Sequence, residues 1–252
     1  MGTTLDDYAE WVLHPQLPAI PTRPRSSYFV CGTPRSGSWL LCGLLASTGV
    51  AGRPHEWFYE DTEDTNRRAW GVSLFSDYLR AVHDAGTTPN GVFASKLMWE
   101  QMEELVVRLR QLGEAPTDRS LIERHFPSTR FVRLWREDVA AQAVSWAKAI
   151  QTGRWHHWDA SDSSAIPIYN REQIEALAHE VADSNSRWRA WFAANDIRPL
   201  VVRFEDLVAD GVAVTREVLG YLGLASERIA VAERTVKTGD HVNAEWLARY
   251  RA

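Results

Sequence analysis

The chain contains few cysteines and no long apolar run, and these two features exclude several classes of protein. Only Cys31 and Cys42 are cysteines among its 252 residues, which is too few for a disulfide framework or a structural zinc site. The longest apolar run, within residues 39–46, is interrupted by Gly43 and falls well short of the ~18 residues that span a bilayer. The N-terminus lacks the positive start and apolar stretch of a signal peptide. We therefore expect a reduced, cytoplasmic protein without a membrane span.

The chain has no excess of positive charge either. Its 28 Lys and Arg residues are outnumbered by 33 Asp and Glu residues, which gives a net charge of -5 and disfavours a protein that binds nucleic acid through bulk charge. Hydrophobic residues make up 45% and charged residues 24%, as in ordinary soluble domains. Tryptophan is frequent, with 12 residues against 7 Tyr and 8 Phe. Because indole faces stack on sugar rings and purines, we expect a few of them to line a pocket.

Predicted strands and helices alternate along the chain after a proline-rich arm over residues 1–26. Apolar, β-favouring runs predict four strands, at residues 28–32, 92–95, 130–135 and 199–204. Helical patterns are found at residues 39–48, 74–82, 105–112, 137–150, 171–195 and 215–222, and Ser120 with Glu123 predicts a capping box before a further short helix. Residues 153–169 show no period and predict a long functional loop. The alternation predicts a parallel sheet with helices on both faces.

The strongest feature is the segment Thr33–Trp39, with the sequence TPRSGSW, between the first strand and the first helix of this pattern. Backbone N–H groups at such a turn converge on one point and the helix dipole adds positive potential, so the segment suits an anion. Gly37 allows the backbone to approach an oxyanion closely, and Ser36 and Ser38 add hydroxyl donors. Arg35 adds a charge that can bind two oxygens. The structural alternative is a turn that only caps the helix.

The motifs of two other anion-binding loops match this segment poorly. A nucleotide P-loop requires G-x-x-x-x-G-K-[ST], but Gly32 lies only five residues before Gly37, and Ser38 stands at the lysine position. A phosphatase loop needs a nucleophilic cysteine followed by an arginine six positions later, and six residues after Cys31 stands Gly37. A kinase, an ATPase and a cysteine-dependent phosphatase are therefore disfavoured.

Six segments, in this order, resemble one enzyme family. They are TPRSGSWLL, TGVAGRPHEWF, GVFASKLMW, RLWREDVAAQAVSWAKAIQTGRW, RFEDL and NAEWLARY. The resemblance as a whole extends over residues 27–250. The family comprises sulfotransferases that use 3′-phosphoadenosine 5′-phosphosulfate (PAPS), and the resemblance is to its trehalose 2-sulfotransferase members. The chain departs from the family at Trp39, where the family usually has Thr, and thereby lacks one hydroxyl near the phosphosulfate.

This resemblance implies a fold and an activity. The expected fold is a single α/β domain of the P-loop-like sulfotransferase type over residues 27–252, behind the arm. The expected activity transfers a sulfuryl group from PAPS to a hydroxyl of a small acceptor, first a carbohydrate such as trehalose, and leaves 3′-phosphoadenosine 5′-phosphate (PAP). A homodimer without a metal is also implied. Two alternatives stay open: the same chemistry on a lipid or secondary-metabolite alcohol, and a PAPS- or nucleotide-binding module without catalysis.

The resemblance also implies which residues bind the donor. The loop residues expected at the 5′-phosphosulfate are Arg35, Ser36, Gly37, Ser38 and Trp39. Arg136 and Ser145 are expected at the 3′-phosphate, because a guanidinium and a hydroxyl suit a dianion. The structural alternative pairs Arg136 with Glu137 or Asp138 on the surface. In the tail, Arg234 and Lys237 are expected to add donor contacts.

Three residues are expected to carry the chemistry. Glu56, in the segment RPHEWF, corresponds to the family's proposed general base. An alcohol becomes a good nucleophile only when a base takes its proton, and the adjacent His55 is a rival for this role. Lys96 ends the second predicted strand and is expected to stabilise charge on the leaving phosphate, with Arg35 acting at the same reacting end.

The acceptor is expected to contact a mixed polar and aromatic surface. The residues expected there are Glu56, Trp57, Gln151 and Trp155. His156 and His157 lie in the same predicted loop, but adjacent side chains face apart in an extended chain. We therefore predict no metal site.

Overall fold

The computed structural model describes residues 5–155, 166–224, 229–231 and 241–252, and a four-stranded sheet lies at its centre. The strands are β1 (Ser26–Cys31), β2 (Val92–Leu97), β3 (Thr129–Trp135) and β4 (Leu200–Arg203). All pairs are parallel, in the order β2-β1-β3-β4. The chain crosses from β1 to β2 on one side and later to β3 on the other, so the loop after β1 lies where the strand order reverses. Open α/β sheets bind their ligands at that point, beyond the carboxyl ends of the strands.

Helices cover both faces of this sheet. In chain order they are α1 (Leu5–Leu13), α2 (Ser38–Ser47), α3 (Glu60–Trp70), α4 (Phe75–Gly86), α5 (Trp99–Leu112), α6 (Asp118–His125), α7 (Val139–Thr152), α8 (Arg171–Ala194), α9 (Phe204–Ala209), α10 (Gly211–Leu222) and α11 (His241–Arg251). The side chains of β1 alternate between two apolar cores, with Phe29 and Cys31 in one and Tyr28 and Val30 in the other. This confirms the predicted α/β class, since parallel strands buried on both faces need helices on both.

The predicted arm over residues 1–26 contains a helix. The Tyr8 hydroxyl of α1 donates a hydrogen bond to the Pro54 carbonyl at 2.6 Å, and Val12 is buried in the core that contains Tyr28. The prolines at positions 15, 18, 21 and 24 all follow the end of α1. They correctly indicate irregular chain after the helix and carry no information about the residues before it.

Two other helices have no apolar period in their sequences and were not predicted. Helix α3, EDTEDTNRRAW, buries only Glu63 and Asn66, and Glu63 forms an ion pair with Arg67 at 2.6 Å. Helix α11 lies in the polar tail, where the buried Trp246 joins a small core with residues of α7 and α8. Helix α3 is thus stabilised by an ion pair and α11 by one large buried side chain, and a hydrophobic pattern predicts neither helix.

The starts of two helices differ from their predicted positions. Thr117 caps α6, because its side chain accepts a hydrogen bond from the N–H of Ser120, so Ser120 is inside the helix instead of capping it. Helix α7 begins after Asp138, whose carboxylate accepts from the N–H of Ala141 at 3.0 Å. The acidic residue therefore caps this helix instead of lying in its first turn. No helix in the described ranges is both long and apolar enough to cross a bilayer.

Candidate active site

The loop between β1 and α2 has the backbone geometry of an anion site. Gly37 precedes α2 with φ of 87°, and a Cβ at this position would lie 2.5 Å from the Phe204 ring, so only glycine fits. Arg35 also has a positive φ, of 61°. Gly37 has no side chain with which to cap α2, and the start of a helix that no side chain caps is a favourable place for an anion.

Two helices hold this loop from behind. The Gln142 amide of α7 donates to the Thr33 hydroxyl at 2.7 Å and to the Pro34 carbonyl at 2.6 Å. The Trp188 indole of α8 donates to the Gly32 carbonyl at 3.0 Å. Ser36 is fully buried, and its hydroxyl finds no hydrogen-bond partner among the described residues. Buried polar atoms are normally paired, so the unpaired hydroxyl suits a bound oxyanion.

Arg35 joins three parts of the chain that are distant in sequence. Its Nε donates to the Ser145 hydroxyl of α7 at 3.2 Å, and its Nη1 donates to the Trp155 carbonyl beyond that helix. The structure therefore brings together Arg35, Ser145 and Trp155, which the sequence analysis placed at the donor and acceptor sites.

Arg136 follows β3 and lies against an aromatic ring. Its guanidinium carbon is 4.4 Å from the centre of the Phe204 ring, and burial holds the pKa of this guanidinium below its usual range. The Nε finds no partner in the part of the chain that is described. Glu137 pairs with Arg203 and Asp138 with Arg251. Asp138 and Glu205 also favour the charged form of Arg136 and partly offset the effect of burial on its pKa. A partly desolvated guanidinium with a spare donor remains suited to a phosphate.

A second charged centre lies next to the loop. The Lys96 ammonium is 3.0 Å from Glu56 Oε1 and 4.0 Å from the centre of the Trp39 ring. Lys96 is only 1% exposed, whereas 18% of the Glu56 side chain remains accessible. The carboxylate is thus the open end of a buried ion pair.

Backbone pairing with β2 fixes the position of Glu56. The N–H of Lys96 donates to the His55 carbonyl at 2.9 Å, and the Ser95 hydroxyl donates to the same carbonyl at 3.1 Å. One residue further, the Trp57 indole donates to the Ala94 carbonyl at 3.0 Å. Glu56 is therefore held between two anchored neighbours and beside Lys96.

His55 has an environment that removes its basicity. Its ring packs 4.9 Å from Trp57, 5.9 Å from Trp39 and 6.0 Å from Trp11, centre to centre. Burial, with a smaller contribution from the Lys96 ammonium, lowers the pKa of His55 to about 3. The imidazole is neutral at physiological pH and is a poor proton acceptor there.

Both centres open into one cavity of about 780 Å³. Arg35, Ser38 and Trp39 line it on the donor-loop side, and Glu56 and Lys96 line it at the charged pair. The remaining walls come from α1 and the chain after it, from α3 and the residue before it, from α5 and α8, from α7 and the segment that follows it, and from the neighbours of Arg35 and Glu56. These residues are Val12, Leu13, Pro15, Pro34, His55, Tyr59, Asp61, Thr62, Thr65, Asn66, Met98, Glu100, Gln101, Trp146, Gly153, Trp155 and Glu180.

Helix α3 forms a wall of the cavity that was not predicted from the sequence. Thr62, Thr65 and Asn66 are spaced three and four residues apart, which places them on one helix face towards the cavity. This polar i, i+3, i+4 spacing was the available signal, but it becomes informative only when α3 is known to be a helix. Asn66 is 2% exposed, and its side chain also interacts with the Tyr78 hydroxyl.

Two residues predicted to contact the acceptor are not in the lining of this cavity among the described residues. Trp57 is fully buried in the aromatic core and its indole is bound to the Ala94 carbonyl, so it does not line the cavity. The Gln151 amide is engaged with Gln173 and with both backbone groups of Ile168, where it fixes the chain ahead of α8. Trp155 does line the cavity and is 40% exposed.

Other predictions lie beyond the described ranges. Arg234, Lys237, His156 and His157 all fall outside them. Within the described ranges, no group of three His, Cys, Asp or Glu side chains is arranged to hold a metal ion.

Comparison with known proteins assigns the chain to a family. The model of the Stf0 sulphotransferase family matches residues 27–252. The chain is 32% identical over 253 residues to trehalose 2-sulfotransferase of Mycobacterium tuberculosis (strain ATCC 35801 / TMC 107 / Erdman), covering 89% of this chain and 94% of the relative. It is 30% identical over 256 residues to trehalose 2-sulfotransferase of Mycolicibacterium smegmatis (strain ATCC 700084 / mc(2)155), covering 90% and 94%. Among solved structures, the sulfotransferase domain of the Synechococcus PCC 7002 olefin synthase matches 94% of this chain and 90% of its own, with 18% identity and a TM-score of 0.41. The chain belongs to the Stf0 sulfotransferase family.

Proposed function

We propose that this chain transfers a sulfuryl group from PAPS to a hydroxyl of a small carbohydrate, with trehalose as the first acceptor to test. One observation carries the proposal: the donor loop and the Glu56–Lys96 ion pair open into the same cavity. An anion site next to a carboxylate and an ammonium is the combination that group transfer to an alcohol requires. The two relatives that are named trehalose 2-sulfotransferase support the choice of acceptor.

On the donor side, the loop supplies the contacts that a phosphosulfate needs. The N–H groups at the start of α2, the buried Ser36 hydroxyl and the Arg35 guanidinium are suited to its oxygens. Arg136 and Ser145 are assigned to the 3′-phosphate. Burial of the Arg136 guanidinium strengthens its electrostatic attraction to a dianion, because the local dielectric is lower than in water.

The transfer step is an in-line displacement at sulfur. The acceptor oxygen forms a bond to sulfur while the bond from sulfur to the phosphate oxygen breaks, and the electron pair leaves with PAP. Glu56 takes the acceptor proton. Lys96 stabilises the charge that grows on the leaving oxygen, which is favourable because the ammonium is buried and already oriented. His55 stays neutral and takes no proton in this step.

On the acceptor side, the cavity offers both kinds of contact that sugars use. Thr62, Thr65 and Asn66 provide hydroxyl and amide groups for sugar hydroxyls. Trp146 and Trp155 provide indole faces on which a pyranose ring can stack. These polar groups and indole faces suit a carbohydrate, while the choice of a sugar over an apolar alcohol rests on the two relatives.

Transfer of radiolabelled sulfur from PAPS to a panel of acceptors tests the proposal. We expect label on trehalose, less label on a monosaccharide or an aliphatic alcohol, and loss of transfer in Lys96→Met. Lys148→Met is the matched control, since Lys148 does not line the cavity. Label only on a non-sugar alcohol would overturn the acceptor class. PAP binding without transfer to any acceptor would identify a binding module instead of an enzyme.

A further inference from the structure

We propose that Trp39 is a positioning residue whose indole face holds the Lys96 ammonium in place beside Glu56. The inference rests on the proposed function, because Lys96 matters only if transfer takes place at this pair. It assigns a specific task to the residue at which this chain departs from the usual threonine.

The geometry gives Lys96 two electrostatic partners on different groups. Its ammonium lies 3.0 Å from Glu56 Oε1 and 4.0 Å from the centre of the Trp39 ring. At 1% exposure the ammonium has lost its hydration shell, and a buried charge needs compensation from its surroundings. A carboxylate compensates one side of it, and the negative face of an indole, the most effective aromatic ring for a cation, compensates another.

Trp39 is itself held in this position. Its ring packs 5.9 Å from the Tyr8 ring and 5.9 Å from the His55 ring, and Tyr8 is tied to the Pro54 carbonyl. The residue is partly buried in α2, packs against the core that contains Tyr28, and directly follows the donor-loop serine Ser38. Its indole therefore lies between the donor loop and the ion pair, braced from α1.

This arrangement has a consequence for the reaction. When Glu56 takes the acceptor proton, its negative charge disappears and Lys96 loses its carboxylate partner. The indole keeps its partial negative face throughout, because it takes no part in the proton transfer. Lys96 is thus never left uncompensated while charge moves towards the leaving oxygen.

Site-specific fluorination of Trp39 tests this role without altering its shape. Mono-, di- and trifluorinated tryptophans at position 39 progressively weaken the negative face of the ring but leave its packing in place. Two readouts are measured: the free energy of unfolding in urea, for the parent chain and for Lys96→Met, and turnover of sulfuryl transfer by the parent chain. Because Lys96→Met removes the cation, a contact between ring and ammonium makes fluorination lower the free energy of unfolding more in the parent chain than in Lys96→Met. The same series at Trp146 is the control, since Trp146 lines the same cavity and has no cation over its ring in the described part of the chain.

We expect the unfolding equilibrium constant of the parent chain to rise and turnover to fall in step with fluorination, by about 2- to 30-fold across the series, the range that a cation–π contact supplies. PAP affinity, the Trp146 series and the stability of Lys96→Met should stay unchanged. Fluorination that changes stability equally in the parent chain and in Lys96→Met would overturn the contact. A stability that responds in the parent chain alone, while turnover does not respond, would overturn the positioning role. If the unmodified chain transfers no sulfuryl group, the proposed function fails, and the stability series still decides whether the ring holds the ammonium.

Discussion

Glu56 and His55 are neighbours in the chain, and their environments give them different chemistry. Both line the cavity. His55 is buried among indole rings and its pKa is lowered to about 3, whereas Glu56 is more accessible and pairs with Lys96. Composition and spacing could name both as candidate bases. Only the packing of Trp11, Trp39 and Trp57 around the imidazole separates them.

Replacing each of the two donor-site arginines by alanine should have a different effect. Arg136→Ala should weaken PAP binding by about 10- to 150-fold, the loss of one charge-assisted hydrogen bond, and should abolish the preference for PAP over adenosine 5′-monophosphate, which lacks the 3′-phosphate. Arg35→Ala should in addition slow transfer, because Arg35 lines the reacting cavity. Calorimetric titration and steady-state rates measure the two effects, with the exposed Arg68→Ala as control. Unchanged PAP affinity in Arg136→Ala would place the 3′-phosphate elsewhere.

For individual residues, the sequence allowed the candidate site residues to be named, but it did not predict which of them contact one another. The loop around Gly37 could be recognised because a strand, a glycine and a helix follow one another locally. The contact between Arg35 and Ser145 joins residues 110 positions apart, and the buried state of Trp57 depends on how its segment pairs with β2. Neither can be derived from local spacing, since both require the tertiary fold.

Among the elements, α3 shows most clearly what a hydrophobic pattern misses. Its sequence has no apolar stripe, because one face meets solvent and the other meets the polar cavity. The four strands and most helices were predictable, since each has one apolar face against the rest of the fold. Helices α1, α3, α9 and α11 were not. Helix α1 precedes a run of prolines, α9 has only six residues directly after β4, and α3 and α11 depend on a few polar or isolated aromatic contacts.

Helix α3 should determine acceptor recognition. Thr65→Val, which removes a hydroxyl at nearly constant volume, should raise KM for the acceptor by about 2- to 10-fold, the effect of one neutral hydrogen bond. Asn66→Ala should act in the same direction. Asp64→Ala, an exposed change on the same helix outside the cavity lining, should have no effect. Steady-state kinetics measure the acceptor KM of each variant, and a PAP titration checks that donor binding is intact. An unchanged acceptor KM in both Thr65→Val and Asn66→Ala would exclude α3 from the acceptor site.

For the whole molecule, two buried histidines predict a pH dependence of stability. Burial lowers the pKa of His55 to about 3 and that of His83 to about 4, against about 6.5 in an unfolded chain. Between these values the unfolded state binds more protons, so the free energy of unfolding falls as the pH falls below about 6.5. Each histidine contributes about 1.4 kcal/mol per pH unit in this window.

Urea unfolding between about pH 7 and pH 5 measures this slope. His83→Phe should flatten it by the share of one proton, because the ring contacts with Phe93 and Phe126 can persist without a titrating group. His14→Ala, at an exposed position, should leave the slope unchanged. A wild-type stability that does not change with pH across the window would contradict the neutral, buried state of both rings.

The homodimer implied by the family resemblance remains a prediction. Light scattering coupled to size exclusion measures it directly, and we expect a mass of twice 28.6 kDa at micromolar concentration. A single 28.6 kDa species over the same concentration range would contradict it.

Turnover of Glu56→Gln tests most directly whether the pair of Glu56 and Lys96 performs the transfer. The amide keeps the size and hydrogen bonds of the side chain but cannot take a proton, so turnover at saturating acceptor should fall by about 10²- to 10⁴-fold. PAP affinity and unfolding behaviour should match the parent chain, and His55→Ala should have a far smaller effect on turnover. Near-normal turnover in Glu56→Gln, with PAP affinity intact, would contradict the assignment of Glu56 as the base.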